Sequence, residues 1–191
     1  MYPFRVSEAD KLEDPERLKW LSPETVVAAL ELRSDMTVAD IGTGTGYFAI
    51  PMSRIVARVY AIDFQREMLE LLRRKLTNET NIELLEGSAT ATTLLDHSCD
   101  VAFLATVWHE LDSRDAVLDE MRRILKPDGT LAILDWRHDV ERPPGPRIPH
   151  RIPMAGVISE LRGWQIIRSG NIGSFTYLVQ ARWGERASRP Q

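Results

Sequence analysis

The chain has 191 residues, a formal net charge of −4, 43% hydrophobic and 27% charged residues, and one cysteine. That length suits one well-buried α/β domain and is too short for two ordinary ones with a linker, the composition is that of a folded globular protein, and a net acidic chain has no general attraction for nucleic acid. No charged stretch followed by an apolar core opens the sequence and its apolar runs are strand-sized, so a soluble, cytoplasmic protein is expected, with Cys99 a small buried hydrophobe.

Residues 1–22 set Tyr2, Phe4, Leu12, Leu18, Trp20 and Leu21 among charges, with a helix start at Asp14-Pro15, and are expected to form a lid or cap. Ser22 and Pro23 fit an N-cap and a first helical position, predicting a helix over 25–32. A hydrophobic strand from Val38 then runs into Gly42, Gly44 and Gly46, and a helix is expected over 47–57. A second strand over 59–63 ends at Asp63. Over 65–76, Met68, Leu69, Leu71, Leu72 and Leu76 recur at helical spacing against arginines, glutamates and Lys75, so the apolar stripe faces a sheet. A third strand near 81–86 leads into Gly87, Ser88 and Ala89, and a fourth covers 100–106. The helix over 113–125 is ended by Pro127-Asp128-Gly129, and a fifth strand runs to Asp135-Trp136. Five prolines exclude regular structure from 137–153. A helix over 154–162 and two strands, 164–168 and 174–182, joined by a turn at 169–173, complete a domain over 23–182, with a tail at 183–191.

The glycine turn is the most informative feature. Glycines after a strand let the backbone reverse sharply and approach a ligand, and the following helix directs its positive end there. The spacing is G-x-G-x-G; Tyr47 stands where the dinucleotide fingerprint has its third glycine, which weakens a pyrophosphate reading. Asp40 adds a carboxylate that would repel pyrophosphate and suit an amine.

With Asp40 before the glycines, Asp63-Phe64 closing the second strand and the later strands in order, the segment from Val38 to Trp136 resembles the class I S-adenosylmethionine-dependent methyltransferases. The phrase Asp-Pro-Glu-Arg-Leu-Lys-Trp-Leu is similar to a small stand-alone prokaryotic group, and the core motifs resemble the quinone-biosynthesis methyltransferases. The resemblance implies a Rossmann-like, doubly wound α/β fold. Its sheet would have seven mostly parallel strands, an antiparallel last strand and helices on both faces. It implies S-adenosylmethionine as cofactor, held by Asp40, Gly42, Thr43, Gly44, Gly46 and Tyr47. Asp63 would take the ribose, and Phe64, Ser88, Ala89 and Ala105 would complete the site, although the family often has Asp at the place of Ser88.

On the acceptor side, Trp108-His109 follows the fourth strand, where the family puts residues nearest the transferred methyl. His109 is the candidate base and Asp135 a second. In that topology the proline-rich loop overhangs the ligand edge, so Arg142, Arg147, His150 and Arg151, with Trp108, are expected to meet a small-molecule acceptor, with an anionic one suiting the arginines. The loop also reads as a solvated connector or as a docking segment for a proline-reading partner. No histidine or cysteine spacing fits a metal, and neither nucleic acid nor membrane is expected as partner. Two other functions stand beside methyl transfer: an NAD-dependent oxidoreductase, and a non-catalytic S-adenosylmethionine-binding regulatory or partner subunit.

Overall fold

A computed structural model describes residues 4, 6–140 and 145–184. Seven strands form one sheet: β1 (Thr37–Ile41), β2 (Arg58–Asp63), β3 (Ile82–Glu86), β4 (Cys99–Ala105), β5 (Leu125–Trp136), β6 (Trp164–Ile172) and β7 (Thr176–Trp183), in the order β3-β2-β1-β4-β5-β7-β6. The first five pair in parallel, and β7 inserts antiparallel between β5 and β6. The sheet therefore has the expected seven mostly parallel strands with an antiparallel last strand.

Alternation along the central strands sends side chains to two cores. In β4, Ala102 and Leu104 join Val117, Met121 and Ile124 of the helix Arg114–Ile124. Val101, Phe103 and Ala105 join the opposite core, with Phe48 and Met52 and with Leu72 of the Arg66–Lys75 helix. Both faces of a parallel sheet are thereby covered, which is why β4 reads as a continuous apolar run.

Several boundaries differ from the sequence expectation. The helix after the glycine turn is only Ala49–Ser53, and the helices at Pro23–Ala29 and Met154–Glu160 end early. β6 runs through the expected turn at 169–173, because Asn171 and Ile172 pair with Tyr177 and Thr176 and the reversal falls at Gly173 instead. Tertiary pairing has overridden local turn composition there. The proline-rich loop contains a short 3-10 helix, Ile148–His150. Among the described residues no helix is long and apolar enough to cross a membrane.

Cys99 is buried, and burial pushes its thiol up to about 11. Glu120 is the buried polar group with the strongest ties. Burial alone would raise its carboxyl, but hydrogen bonds from Arg123 and from the Thr92 amide and hydroxyl overcome this and hold it down at about 2. A lowered folded value means stability that is present above the ordinary glutamate range and lost as pH falls toward that value. Glu120→Gln should cost about 2–3 kcal/mol at pH 7 and flatten the acid side of the stability profile, as read by urea denaturation.

Candidate active site

At the carboxyl end of β1 the chain reverses through Gly42, Gly44 and Gly46, with φ of +72°, +54° and +81°. A Cβ on Gly42 would stand 2.5 Å from Val107 Cγ2 and one on Gly46 2.2 Å from Leu72 Cδ1, so a side chain at either would displace a neighbour as well as strain the backbone. Gly44 has room, its nearest neighbour being Leu12 Cδ1 at 3.4 Å. The turn's amides are largely used within the protein. Those of Gly42 and Thr43 donate to Ile62 O at 2.8 and 3.0 Å, that of Gly44 to Asp63 Oδ2 at 2.9 Å, and that of Gly46 to Thr43 O at 3.0 Å. The carbonyls of Gly42 and Gly44 accept no hydrogen bond from a described residue. The turn thus offers acceptors at Gly42 and Gly44, which fit an ammonium group.

Asp40 lies beneath this turn, 2% exposed, accepting from Thr43 Oγ1 at 2.7 Å and from the Ala49 amide. Burial pushes its carboxyl up to about 7. These two bonds tie Asp40 to the turn it underlies. At the end of β2, Asp63 takes the Gln65 amide on Oδ1 at 2.9 Å and the Gly44 amide on Oδ2. Burial raises its carboxyl against these bonds. Phe64 beside it is 52% exposed, an aromatic face without cover. Ser88 belongs to a tight turn, exchanging backbone hydrogen bonds with Ala91, with half-buried Ala89 inside it. Ala105 closes β4 and is buried. The Tyr47 hydroxyl donates to Leu21 O, and its ring underlies the Arg17 guanidinium. An acceptor-lined turn, a carboxylate at the second strand end and an open aromatic face fit the three parts of S-adenosylmethionine: amino acid, ribose and adenine.

The amino-terminal segment lies across these groups. The Phe4 amide donates to Glu110 Oε2 at 3.2 Å and its carbonyl accepts from Gln65 Nε2 at 2.9 Å. The 3-10 helix Val6–Leu12 brings Leu12 over Gly44, and Glu13 accepts from the Thr45 hydroxyl and from Lys75 Nζ.

Beyond β4, Thr106 adopts φ +58°, an uncommon conformation for a β-branched residue, while its amide donates to Leu134 O at 2.7 Å. This kink turns the chain into the 3-10 helix Trp108–Glu110 and delivers His109 to Asp135 at the end of β5. Asp135 Oδ2 accepts the His109 amide at 2.9 Å, and Oδ1 lies 2.8 Å from His109 Nδ1. A carboxylate only accepts, so Nδ1 carries the hydrogen and Nε2 is left as the basic nitrogen, 3.7 Å from Glu110 Oε1. Burial pulls the imidazole downward, but the Asp135 hydrogen bond and the fields of Asp135 and Glu110 outweigh it, leaving His109 above its ordinary value. Burial likewise raises Glu110.

The expected acceptor residues separate. Trp108 is fully buried and donates through Nε1 to Glu160 Oε2 at 2.8 Å, leaving no free face for an acceptor. Arg151 is 5% exposed and ties the loop together through Pro146 O at 2.8 and 2.6 Å and Arg137 O at 3.0 Å, while its charge is felt at His109 and Asp135. Arg147 and His150 are exposed, and Arg142 lies outside the described residues. No local pattern in the sequence singles out Thr106, Glu110 or Arg17 as a strained threonine, a glutamate receiving a distant backbone amide and an arginine folded inward.

A methyltransferase domain model matches residues 39–133. A SAM-dependent methyltransferase from Aquifex aeolicus of known structure is 34% identical, with a TM-score of 0.86 and coverage of 94% of this chain and 98% of that one. A demethylmenaquinone methyltransferase from Thermus thermophilus is 29% identical over 171 residues, 86% of this chain and 73% of that protein. A ubiquinone/menaquinone biosynthesis C-methyltransferase from Hahella chejuensis is 32% identical over 111 residues, 55% of this chain and 45% of its own length, so the chain spans less than half of that relative.

Proposed function

Because the chain belongs to the S-adenosylmethionine-dependent methyltransferases, we propose that it methylates a small molecule at a hydroxyl or an activated carbon, with His109 and Asp135 receiving the acceptor's proton. The observation that carries this reading is the buried contact between His109 Nδ1 and Asp135 Oδ1 at 2.8 Å, beyond the ends of β4 and β5. The contact adjoins the cofactor turn, since Val107, two residues before His109, packs on Gly42.

S-adenosylmethionine supplies an electrophilic methyl on a sulfonium, and the protein's task is to align an acceptor for in-line displacement and to hold a proton acceptor beside it. The Gly42, Thr43, Gly44 and Gly46 turn receives the amino acid end, with Asp40 and Tyr47 bracing it. Asp63 takes two ribose hydroxyls, and Phe64, Ser88 and Ala89 flank the base, with Ala105 at the floor. Asp135 fixes the His109 tautomer so that Nε2 accepts a proton. A thiolate or free amine would need no such base; a phenol, enol or carbon acid would gain from it. Two relatives bear names from quinone biosynthesis, which makes a demethylated quinone or its reduced form the first acceptor to try.

Transfer of labelled methyl from S-adenosylmethionine into a panel of small acceptors tests the reading. Label in a hydroxyl or carbon acceptor is the expected result; label confined to protein or RNA overturns it. The exposed Arg147 and His150 suit an anionic group on that acceptor. Arg147→Ala should raise the acceptor KM about tenfold while leaving affinity for S-adenosylmethionine unchanged, as steady-state kinetics and calorimetry would report. Residues 1–22 are read as a cover over the cofactor, on the contacts of Phe4, Leu12 and Glu13 with both sides of the cleft. The enzyme is placed in the cytoplasm, where a lone buried cysteine is at home.

A further inference from the structure

Arg17 sits at the start of the short helix α1 (Arg17–Trp20) and is only 7% exposed. A guanidinium carries five N–H donors and keeps its charge, so burying it is costly unless an anion meets it. Here it has one hydrogen bond, from Nη1 to Leu12 O at 3.1 Å, and the face of the Tyr47 ring 3.8 Å from Cζ. Among the described residues no carboxylate forms an ion pair with it. Glu13 is the carboxylate whose field reaches it, and that group is occupied by the Thr45 hydroxyl and by Lys75 Nζ at 2.8 and 3.0 Å. The charge is therefore desolvated, with Glu13 acting on it from a distance and no carboxylate in contact among the described residues.

Its neighbours locate it. Leu12, whose carbonyl it holds, is the residue that packs over Gly44, and Tyr47, on which it stacks, follows Gly46 directly. The guanidinium thus lies beside a turn whose Gly42 and Gly44 carbonyls are open to a donor. Acceptors for an ammonium next to a donor fork for a carboxylate are the two halves of a receptor for an α-amino acid, whose charged groups share one carbon.

We propose that Arg17 receives the carboxylate of the methionine end of S-adenosylmethionine, an inference that rests on the cofactor reading above. The amino-terminal segment then has a chemical role in the site besides covering it: ligand charge completes a buried ion pair that the protein alone leaves half made. A structural role would confine Arg17 to bracing Tyr47 and Leu12, with no preference for what the ligand carries.

Calorimetry with S-adenosylmethionine and with its decarboxylated analogue, which keeps the sulfonium and the amine, separates the two roles. Wild-type protein should prefer the carboxylated ligand by about 10- to 100-fold, the usual range for a charge-assisted pair in a dry site. In Arg17→Gln that preference should collapse to about threefold or less, while the decarboxylated analogue binds as it does to wild type. Equal weakening of both ligands, or a preference that survives the substitution, overturns the proposal. If Arg17→Gln does not fold, Arg17→Lys carries the same ratio: a several-fold smaller preference supports the role and an unchanged one overturns it. Wild-type protein that binds neither ligand removes the cofactor reading itself, and this inference with it.

Discussion

Replacing His109 with alanine is expected to lower kcat by about 10²-fold or more at neutral pH while affinity for S-adenosylmethionine stays unchanged, the range associated with losing a positioned general base. The expectation follows from the division of labour at the imidazole. Nδ1 is committed to Asp135 at 2.8 Å, so Nε2 is the atom left to take a proton. Asp135→Asn should lose a comparable factor for a different reason. An amide in that place favours the tautomer with hydrogen on Nε2, which closes the basic position without removing the ring. The two variants should part in stability. Asp135 is fully buried and receives three N–H groups, the amides of His109 and Trp136 and the His109 ring, so Asp135→Asn should lower the melting temperature more than His109→Ala. A His109→Ala enzyme that methylates at the wild-type rate returns the histidine to a purely structural role.

The second large effect is expected at the cofactor. Asp63→Ala should weaken S-adenosylmethionine binding by about 10- to 100-fold, the equivalent of losing charge-assisted hydrogen bonds to the ribose. Part of that loss is indirect, because the same carboxylate holds the amides of Gly44 and Gln65 and so fixes the turn against the start of the helix Arg66–Lys75. Asp63→Asn keeps an acceptor oxygen and the side-chain size, and should recover part of the affinity; calorimetry on both variants reads the difference. Binding by Asp63→Ala at wild-type strength would remove the ribose role.

Much of this was legible because the informative signals are local. A strand that meets closely spaced glycines, an acid closing the next strand and a leucine stripe at helical spacing each declare themselves within a dozen residues. His109 and Asp135 are likewise marked one by one, by following the fourth strand and ending the fifth. Their contact is not local: it depends on the β4–β5 register that sets Ala105 opposite Leu134, and on the Thr106 kink that swings the chain back. The fates of Trp108 and Arg151 also depend on distant partners, since an indole and a guanidinium look the same in sequence whether they face a cleft or donate to Glu160 and Pro146. Turn composition at 169–173 misled for the same reason: Gly170 and Asn171 favour a reversal, yet their pairing with Leu178 and Tyr177 extends the strand. Arg17 lies at the far end of this scale, a charged residue in a charged stretch whose burial follows from the amino-terminal segment folding over Tyr47.

Proton affinity joins these parts. A raised His109 value in the folded protein means that the protonated pair with Asp135 adds stability fully below the ordinary histidine range, and that this contribution is lost as pH rises through the raised value. Proton acceptance runs the other way, since only the neutral ring is a base. Stability should therefore fall across the pH interval in which methyl transfer gains speed.

The pH dependence of single-turnover methyl transfer, measured for wild type and Asp135→Asn with saturating S-adenosylmethionine, tests the central claim most directly. For wild type the rate should rise with pH through one ionisation above the ordinary histidine value and then level, and Asp135→Asn should be slow with that ionisation moved downward, since the group that raised it is gone. A wild-type rate that is flat across this interval, or an Asp135→Asn profile that keeps the same ionisation at full speed, would contradict a proton acceptor built from His109 and Asp135.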